Sequence, residues 1–165
     1  MMKSEFINKM TRCAAICCCF MLFFSSCNSK KEKLIAESIR QFADNNWSYE
    51  DHFVYFDVDI NDVSKPCKVV VEIENLPDIE INTLQLIVTI TGPDGTENER
   101  KANVAFYESR ANNSTTTVTE VYPYKSFYTP GTYKFKIYRR YEKYYLYGIK
   151  SLKLKVIQIP ELEGK

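Results

Sequence analysis

The sequence predicts an all-β protein, an antiparallel β-sandwich of about seven strands with an immunoglobulin-like or jelly-roll-like arrangement. Seven short segments after Trp47 alternate apolar and polar residues with a period of two, which is typical of strands with one buried and one wet face. Turn signals such as GPDG, residues 92–95, separate these segments. No helical segments alternate with them, which argues against a parallel α/β sheet. Two antiparallel sheets packed face to face therefore fit the pattern best.

Residues 1–26 have the organisation of a bacterial lipoprotein signal peptide. A basic start precedes an apolar core, Cys13–Phe24, of signal-peptide length, whereas a membrane-spanning helix needs about 20 residues. The following FSSC resembles a lipobox, with Phe24 where leucine is usual. We therefore expect Cys27 to be acylated on its thiol and, after cleavage, on its amino group. Several chains together would anchor the protein firmly, whereas one chain alone gives only marginal membrane binding. A plain secretory signal or a buried N-terminal helix is the alternative.

The cysteines and the charge exclude several classes of protein. Four of the six cysteines lie in the signal peptide and Cys27 would carry lipid, which leaves Cys67 alone, without a disulfide framework. We expect Cys67 to be a small buried apolar residue. The chain has a net charge of +1 and no polybasic footprint, so no nucleic-acid partner is expected.

Residues 27–46 are predicted to hold the lipidated cysteine, a polar tether and a short amphipathic helix. The helix is predicted from Leu34, Ile35, Ile39 and Phe42, which lie at helical spacing, and an unstructured tether segment is the alternative. The sandwich is predicted over residues 47–160, and residues 161–165 form a tail.

The predicted strands follow one another along the rest of the chain. Pro123 places the fifth at a sheet edge or strand end, because proline donates no backbone hydrogen bond. A loop is expected at residues 111–115. The segments are HFVYFDVDI, CKVVVEIEN, TLQLIVTIT, RKANVAFYE, TTVTEVYPY, GTYKFKIYRR and SLKLKVIQI.

The sequence offers no catalytic constellation. DVDIND, residues 57–62, begins like a calcium loop, but Asp62 and Lys68 stand where that loop needs glycine and glutamate. A single histidine, His52, disfavours Ser-His catalysis and multi-histidine metal sites. The carboxylates of Glu72 and Glu74 share a strand face and are the one feature favouring a small glycosidase. We therefore expect no enzymatic activity, no metal and no cofactor.

One segment is unusually rich in tyrosine and arginine. YRRYEKYYLYG, residues 138–148, is predicted to form a hairpin joining the last two strands. Tyrosine and arginine are enriched at protein interfaces, so Arg140, Tyr141, Tyr144 and Tyr145 are the candidate partner-binding residues. The alternative is that these tyrosines only cover a face of the sandwich.

Several features of the sequence are familiar in combination. They are the lipobox, a tryptophan ahead of an FxxFDVDI-like strand, NTLQLIVTITGPDG, and GTYKFKIYRRYEKYYLYGIKSLKL with Gly131, Tyr133, Phe135, Ile137, Leu146, Gly148 and Ile149 in register. Together they give a resemblance to the gliding-motility lipoprotein H family of the Bacteroidetes, over about residues 47–157. It implies an envelope lipoprotein that acts with motility or secretion components, and it implies no catalytic residues.

These observations together predict a non-catalytic interaction component, held in the outer membrane by an N-terminal lipid and docking on an envelope protein. Lys30 and Lys31 follow the lipid cysteine, whereas surface export in this phylum tends to use acidic residues there, so a periplasm-facing anchor is favoured. The alternative is a surface lipoprotein that binds glycans or another ligand.

Overall fold

A computed structural model of the protein describes residues 32–112 and 114–160, which belong to one compact unit. Most of these residues lie in antiparallel strands, and the strands form a sandwich-like arrangement, so the predicted fold class is confirmed. Neither of the described helical segments is long or apolar enough to cross a membrane.

The described residues form ten strands rather than about seven. In chain order they are β1 (Lys33–Gln41), β2 (Asn46–Ser48), β3 (Phe53–Ile60), β4 (Cys67–Asn75), β5 (Thr83–Thr91), β6 (Glu97–Ala105), β7 (Thr116–Lys125), β8 (Gly131–Arg140), β9 (Tyr145–Tyr147) and β10 (Ile149–Gln158). A 3-10 turn, Ala43–Asn45, precedes β2, and a short helix, α1 (Phe106–Ala111), follows β6.

Two four-stranded sheets hold the core. The first has the order β1-β10-β4-β7 and the second the order β3-β8-β5-β6, while β2 and β9 form a separate two-stranded sheet. Pro123 lies in β7, an edge strand, as predicted. Val71 and Leu86, one from each main sheet, are fully buried, and removing such side chains from water is the main force that stabilises the fold.

The predicted N-terminal helix is wrong, because residues 33–41 form strand β1. This strand pairs antiparallel with β10, for example through Ser38 and Leu154, and so covers the backbone groups at an edge of the first sheet. Leu34 and Ile39 are about half exposed, so their helical spacing does not mark a buried helical stripe. The sandwich therefore begins at Lys33 rather than at Trp47. The helix α1 was also missed, since residues 106–111 were expected to continue a strand into a loop.

The register of the first sheet defines its two ends. Lys33, Gln158, Cys67 and Lys125 are aligned across its four strands, and we call this the near end. Gln41, Ser151, Glu74 and Thr116 are aligned at the opposite, far end. Eight residue steps along β1 separate the two rows, which corresponds to about 26 Å.

Cys67 is the small buried residue that the sequence predicts. Its side chain belongs to the core and is fully buried, and it is a free thiol. Burial raises the pKa of the Cys67 thiol to about 11, so the reactive thiolate is scarce near neutral pH. The position is therefore suited to packing rather than to chemistry.

Candidate partner-binding site

The tyrosine-rich segment is not the predicted hairpin. β8 lies in the second sheet and β10 in the first, so residues 141–148 cross from one sheet to the other at the far end. We call these residues the crossover. Its central residues form β9, which pairs with β2 through Trp47 and Leu146. Both of these side chains are buried, so the small sheet closes the far end of the core with its apolar face.

Arg139 holds the start of the crossover from inside the sandwich. Its side chain is only 1% exposed, because it continues the buried face formed by Phe135 and Ile137 in β8. The guanidinium donates hydrogen bonds to the backbone oxygens of Lys143 (3.3 Å) and Tyr144 (2.8 Å). Burial lowers the pKa of Arg139, and these carbonyls partly replace the water that the charge has lost. Arg139 is thus a positioning residue for the crossover.

The end of the crossover is fixed against the loop that follows β4. The Gly148 oxygen accepts a hydrogen bond from Leu76 N (2.7 Å), and Gly148 N donates to Asn45 O (2.9 Å). Gly148 has a φ of +91°, and a Cβ at this position would lie 3.2 Å from Ile79 Cγ1. Arg110 of α1 holds the same loop by donating to Ile79 O (2.6 Å). Glycine is therefore required for the close approach of these two segments.

Replacing Gly148 by alanine is expected to lower the free energy of unfolding by about 1–3 kcal/mol, the usual cost of a strained backbone position. Gly95→Ala is the matched control, because Gly95 also has a positive φ but has no atom within 4 Å of an added Cβ. Urea denaturation should show a larger loss for Gly148→Ala. Equal losses would mean that contact with Ile79 does not matter.

A groove of about 440 Å³ lies between the crossover and residues 76–81. Tyr141, Tyr144 and Tyr145, three of the four candidate residues, line it. Tyr144 and Tyr145 are about half exposed, whereas Tyr141 is partly buried against the core. Arg140 is not among the groove residues; it donates a hydrogen bond to Gln85 Oε1 (3.2 Å) on β5. The structure thus brings the three tyrosines together and places Arg140 apart.

The tyrosines of the crossover continue into a longer row of aromatic rings. Tyr144 lies 4.6 Å from Tyr145 and 5.6 Å from Tyr49, measured between ring centroids. Tyr49 stacks on His52 at 4.6 Å, and the row continues through Phe53. We call these rings the aromatic surface; its members are Tyr49, His52, Phe53, Tyr55, Tyr138, Tyr144, Tyr145 and Tyr147.

Most rings of the aromatic surface are open to solvent. Tyr55 and Tyr147 are about two-thirds exposed, and Tyr49 is half exposed. Tyr144 donates from its hydroxyl to Glu50 Oε1 (3.1 Å). The surface therefore offers apolar ring area with polar hydroxyl edges, which is the combination found at protein interfaces.

Six of the eight rings of this surface were not predicted as site residues. Tyr49, His52 and Phe53 lie next to the crossover because β2 pairs with β9, and three-residue strands carry no periodicity that a sequence could reveal. Tyr55 could have been found, since strand alternation already places it on the wet face of β3.

The carboxylates considered for chemistry are engaged in structural contacts. Glu72 lies 2.6 Å from Lys155 Nζ and Glu74 lies 3.2 Å from Lys150 Nζ, so both charges are paired across strands. Asp62 accepts hydrogen bonds from Ser64 and Gln158, which lower its pKa to about 2. Within the described residues, no group of three His, Cys, Asp or Glu side chains is placed to hold a metal ion.

Cys27, the predicted lipidation residue, lies outside the described residues, and its acylation stays a prediction. Comparison with known families gives one finding. The sequence model of the family described as GldH lipoprotein matches residues 34–156. No curated protein matches the chain.

Proposed function

We propose that this chain, which belongs to the GldH lipoprotein family, is a lipid-anchored, non-catalytic interaction component of the bacterial envelope. In this role it docks on an envelope protein that works with motility or secretion machinery. The observation that carries the proposal is the aromatic surface at the far end of the sandwich, continuous with a groove of about 440 Å³.

The way in which the rings contact one another favours a protein partner over a glycan. Tyr49 has two near-parallel neighbours, with interplanar angles of 19° to His52 and 28° to Tyr144. Sugars stack on open ring faces, and rings that stack on each other offer mainly their edges. Tyrosine edges carry hydroxyl groups, which suit the polar backbone and side chains of a protein. The open rings Tyr55 and Tyr147 are the best support for the glycan alternative.

The rigidity of the site also supports docking. Arg139 ties the crossover from within the core, and Arg110 ties the facing loop. A surface that is ordered before binding loses less conformational entropy when a partner arrives. The partner would therefore meet a preformed groove rather than a segment that must fold.

We further propose that the protein is an outer-membrane lipoprotein of a Bacteroidetes bacterium, acylated with palmitate-type chains at Cys27 and facing the periplasm. Lys30 and Lys31 after the lipid cysteine, where surface export would favour acidic residues, support this orientation. A periplasmic position also gives the aromatic surface access to the periplasmic parts of membrane assemblies.

Protease added to whole cells tests this orientation. The protein is expected to survive on intact cells and to be digested once the outer membrane is made permeable, because the membrane separates a periplasmic protein from the protease. Digestion on intact cells would contradict the periplasmic orientation and would favour the surface lipoprotein. Co-purification of partners from the native membrane tests the docking role itself, with the variants given in the Discussion.

A further inference from the structure

The loop between β7 and β8, residues 126–130, lies at the near end of the sandwich. Lys125, the last residue of β7, is aligned across the sheet with Lys33, the first residue of β1. Gly131, the first residue of β8, pairs with Ile60 at the end of β3. The loop therefore shares an end with the point at which the chain enters the sandwich.

This loop is held firmly by contacts with the two strands that flank it. Phe127 is buried, and its ring lies 4.7 Å from the ring of Tyr133. The Tyr133 hydroxyl donates to Thr129 O at 2.8 Å, so the loop is tied on both sides of its tip. The Lys125 ammonium lies 5.8 Å from the Phe127 ring centroid. Tyr128, which lies between Phe127 and Thr129, is therefore held in a fixed position.

That residue, Tyr128, is 85% exposed, the largest exposure among the exposed large hydrophobic side chains of the described part. The neighbouring charges are of both signs, since Lys125 and Asp94 line the same shallow pocket beside it. Electrostatic attraction alone would therefore hold this face to a partner only weakly. The exposed ring of Tyr128, rather than the charges around it, is therefore the feature of this face that would contact a partner.

The length of the chain ahead of the sandwich indicates which partner the Tyr128 ring contacts. Residues 28–32 connect Cys27 to Lys33 at the start of β1, and these six residue steps span at most about 22 Å in any conformation. Three strand spacings, or about 15 Å, separate β1 from β7 across the sheet. A lipid on Cys27 would therefore hold the near end, and with it the loop, close to the bilayer surface.

We propose that Tyr128 contacts the headgroup layer of the bilayer that carries the lipid anchor. The proposal rests on the acylation of Cys27 in the proposed function. A tyrosine ring has an apolar body and a polar tip, and tyrosines accumulate at membrane interfaces for this reason. With the near end against the lipid, the aromatic surface at the far end is directed away from the bilayer and stays free for a protein.

Tryptophan fluorescence of the lipidated protein in vesicles tests this contact. Tyr128→Trp places a probe at the loop tip, and Tyr107→Trp, on α1 at the far end, is a control with 51% exposure at the parent residue. Trp47 contributes the same background to both. The vesicles contain phosphatidylcholine with bromine atoms near the headgroups, which quench nearby tryptophans.

Tyr128→Trp is expected to lose emission and shift to the blue in these vesicles relative to detergent, while Tyr107→Trp stays unchanged. Hydrogen exchange of residues 126–130 in the unaltered protein should also slow in vesicles. An equal change of emission from detergent to vesicles in the two variants, or quenching of Tyr107→Trp alone, would overturn the proposal. The mass of each sample shows whether Cys27 carries lipid. If the protein is lipidated but Tyr128→Trp is not quenched, only the Tyr128 contact is contradicted. If the protein is not lipidated, the anchor in the proposed function is contradicted as well.

Discussion

Replacing Cys27 by serine is expected to abolish lipid attachment and to leave the unprocessed chain in the cell. The thiol is the atom that accepts the diacylglycerol group, and cleavage before residue 27 requires that modification. Cells fed radiolabelled palmitate should therefore show no label in the variant, and its mobility on a gel should match the precursor. The effect is all or none, which makes it the largest that we predict.

Cys67→Ser is the control for this experiment. Cys67 is the other cysteine that remains after removal of residues 1–26, and it is buried as a free thiol. The control should keep both the palmitate label and the processed size. Incorporation of label into Cys27→Ser would show that the lipobox was assigned to the wrong residue.

The second large effect is expected at the aromatic surface. Changing Tyr144 and Tyr145 together to serine should abolish co-purification of the envelope partner from native membranes. Loss of one interface anchor can cost about 2 kcal/mol or more, which is roughly a thirtyfold loss in affinity. The melting temperature should change little, because both side chains are about half exposed and neither belongs to the buried core. Tyr141 is left unaltered, since it packs against the core.

A double variant at Tyr107 and Tyr124 is the matched control for this loss. These two tyrosines are 51% and 50% exposed, compared with 47% and 48% for Tyr144 and Tyr145, but they lie outside the aromatic surface. The control should keep the partner. Two results would mean that the tyrosines of the crossover only cover the sandwich. One is an equal loss of the partner in both double variants. The other is a loss of stability in the Tyr144 and Tyr145 variant while the partner is still recovered.

The strands were predictable because their side chains alternate. In β3, residues 54, 56, 58 and 60 are buried and the residues between them are exposed, which matches the pattern read from the sequence. The same alternation in β8 places Arg139 on the buried face, so its role could have been predicted as well. In β1 the pattern misled, because the burial of this edge strand follows no strict alternation and its apolar residues lie at helical spacing.

The site was predictable only in part, for a physical reason. The composition of residues 138–148 indicates an interface, and three of the four chosen residues do line one groove. The facing wall, residues 76–81, and the neighbouring ring of Tyr49 are brought there by pairings between segments far apart in the chain. Such pairings depend on how the two sheets stack, and no local pattern records them.

Photo-crosslinking in living cells tests the docking surface most directly. A photoreactive phenylalanine analogue is placed at residue 145 in one strain and at residue 124 in another, with the lipid anchor intact in both. We predict that position 145 forms an adduct with an envelope protein and that position 124 does not form that adduct. The same adduct from both positions, or none from position 145, would contradict the assignment of the aromatic surface as the partner-binding site.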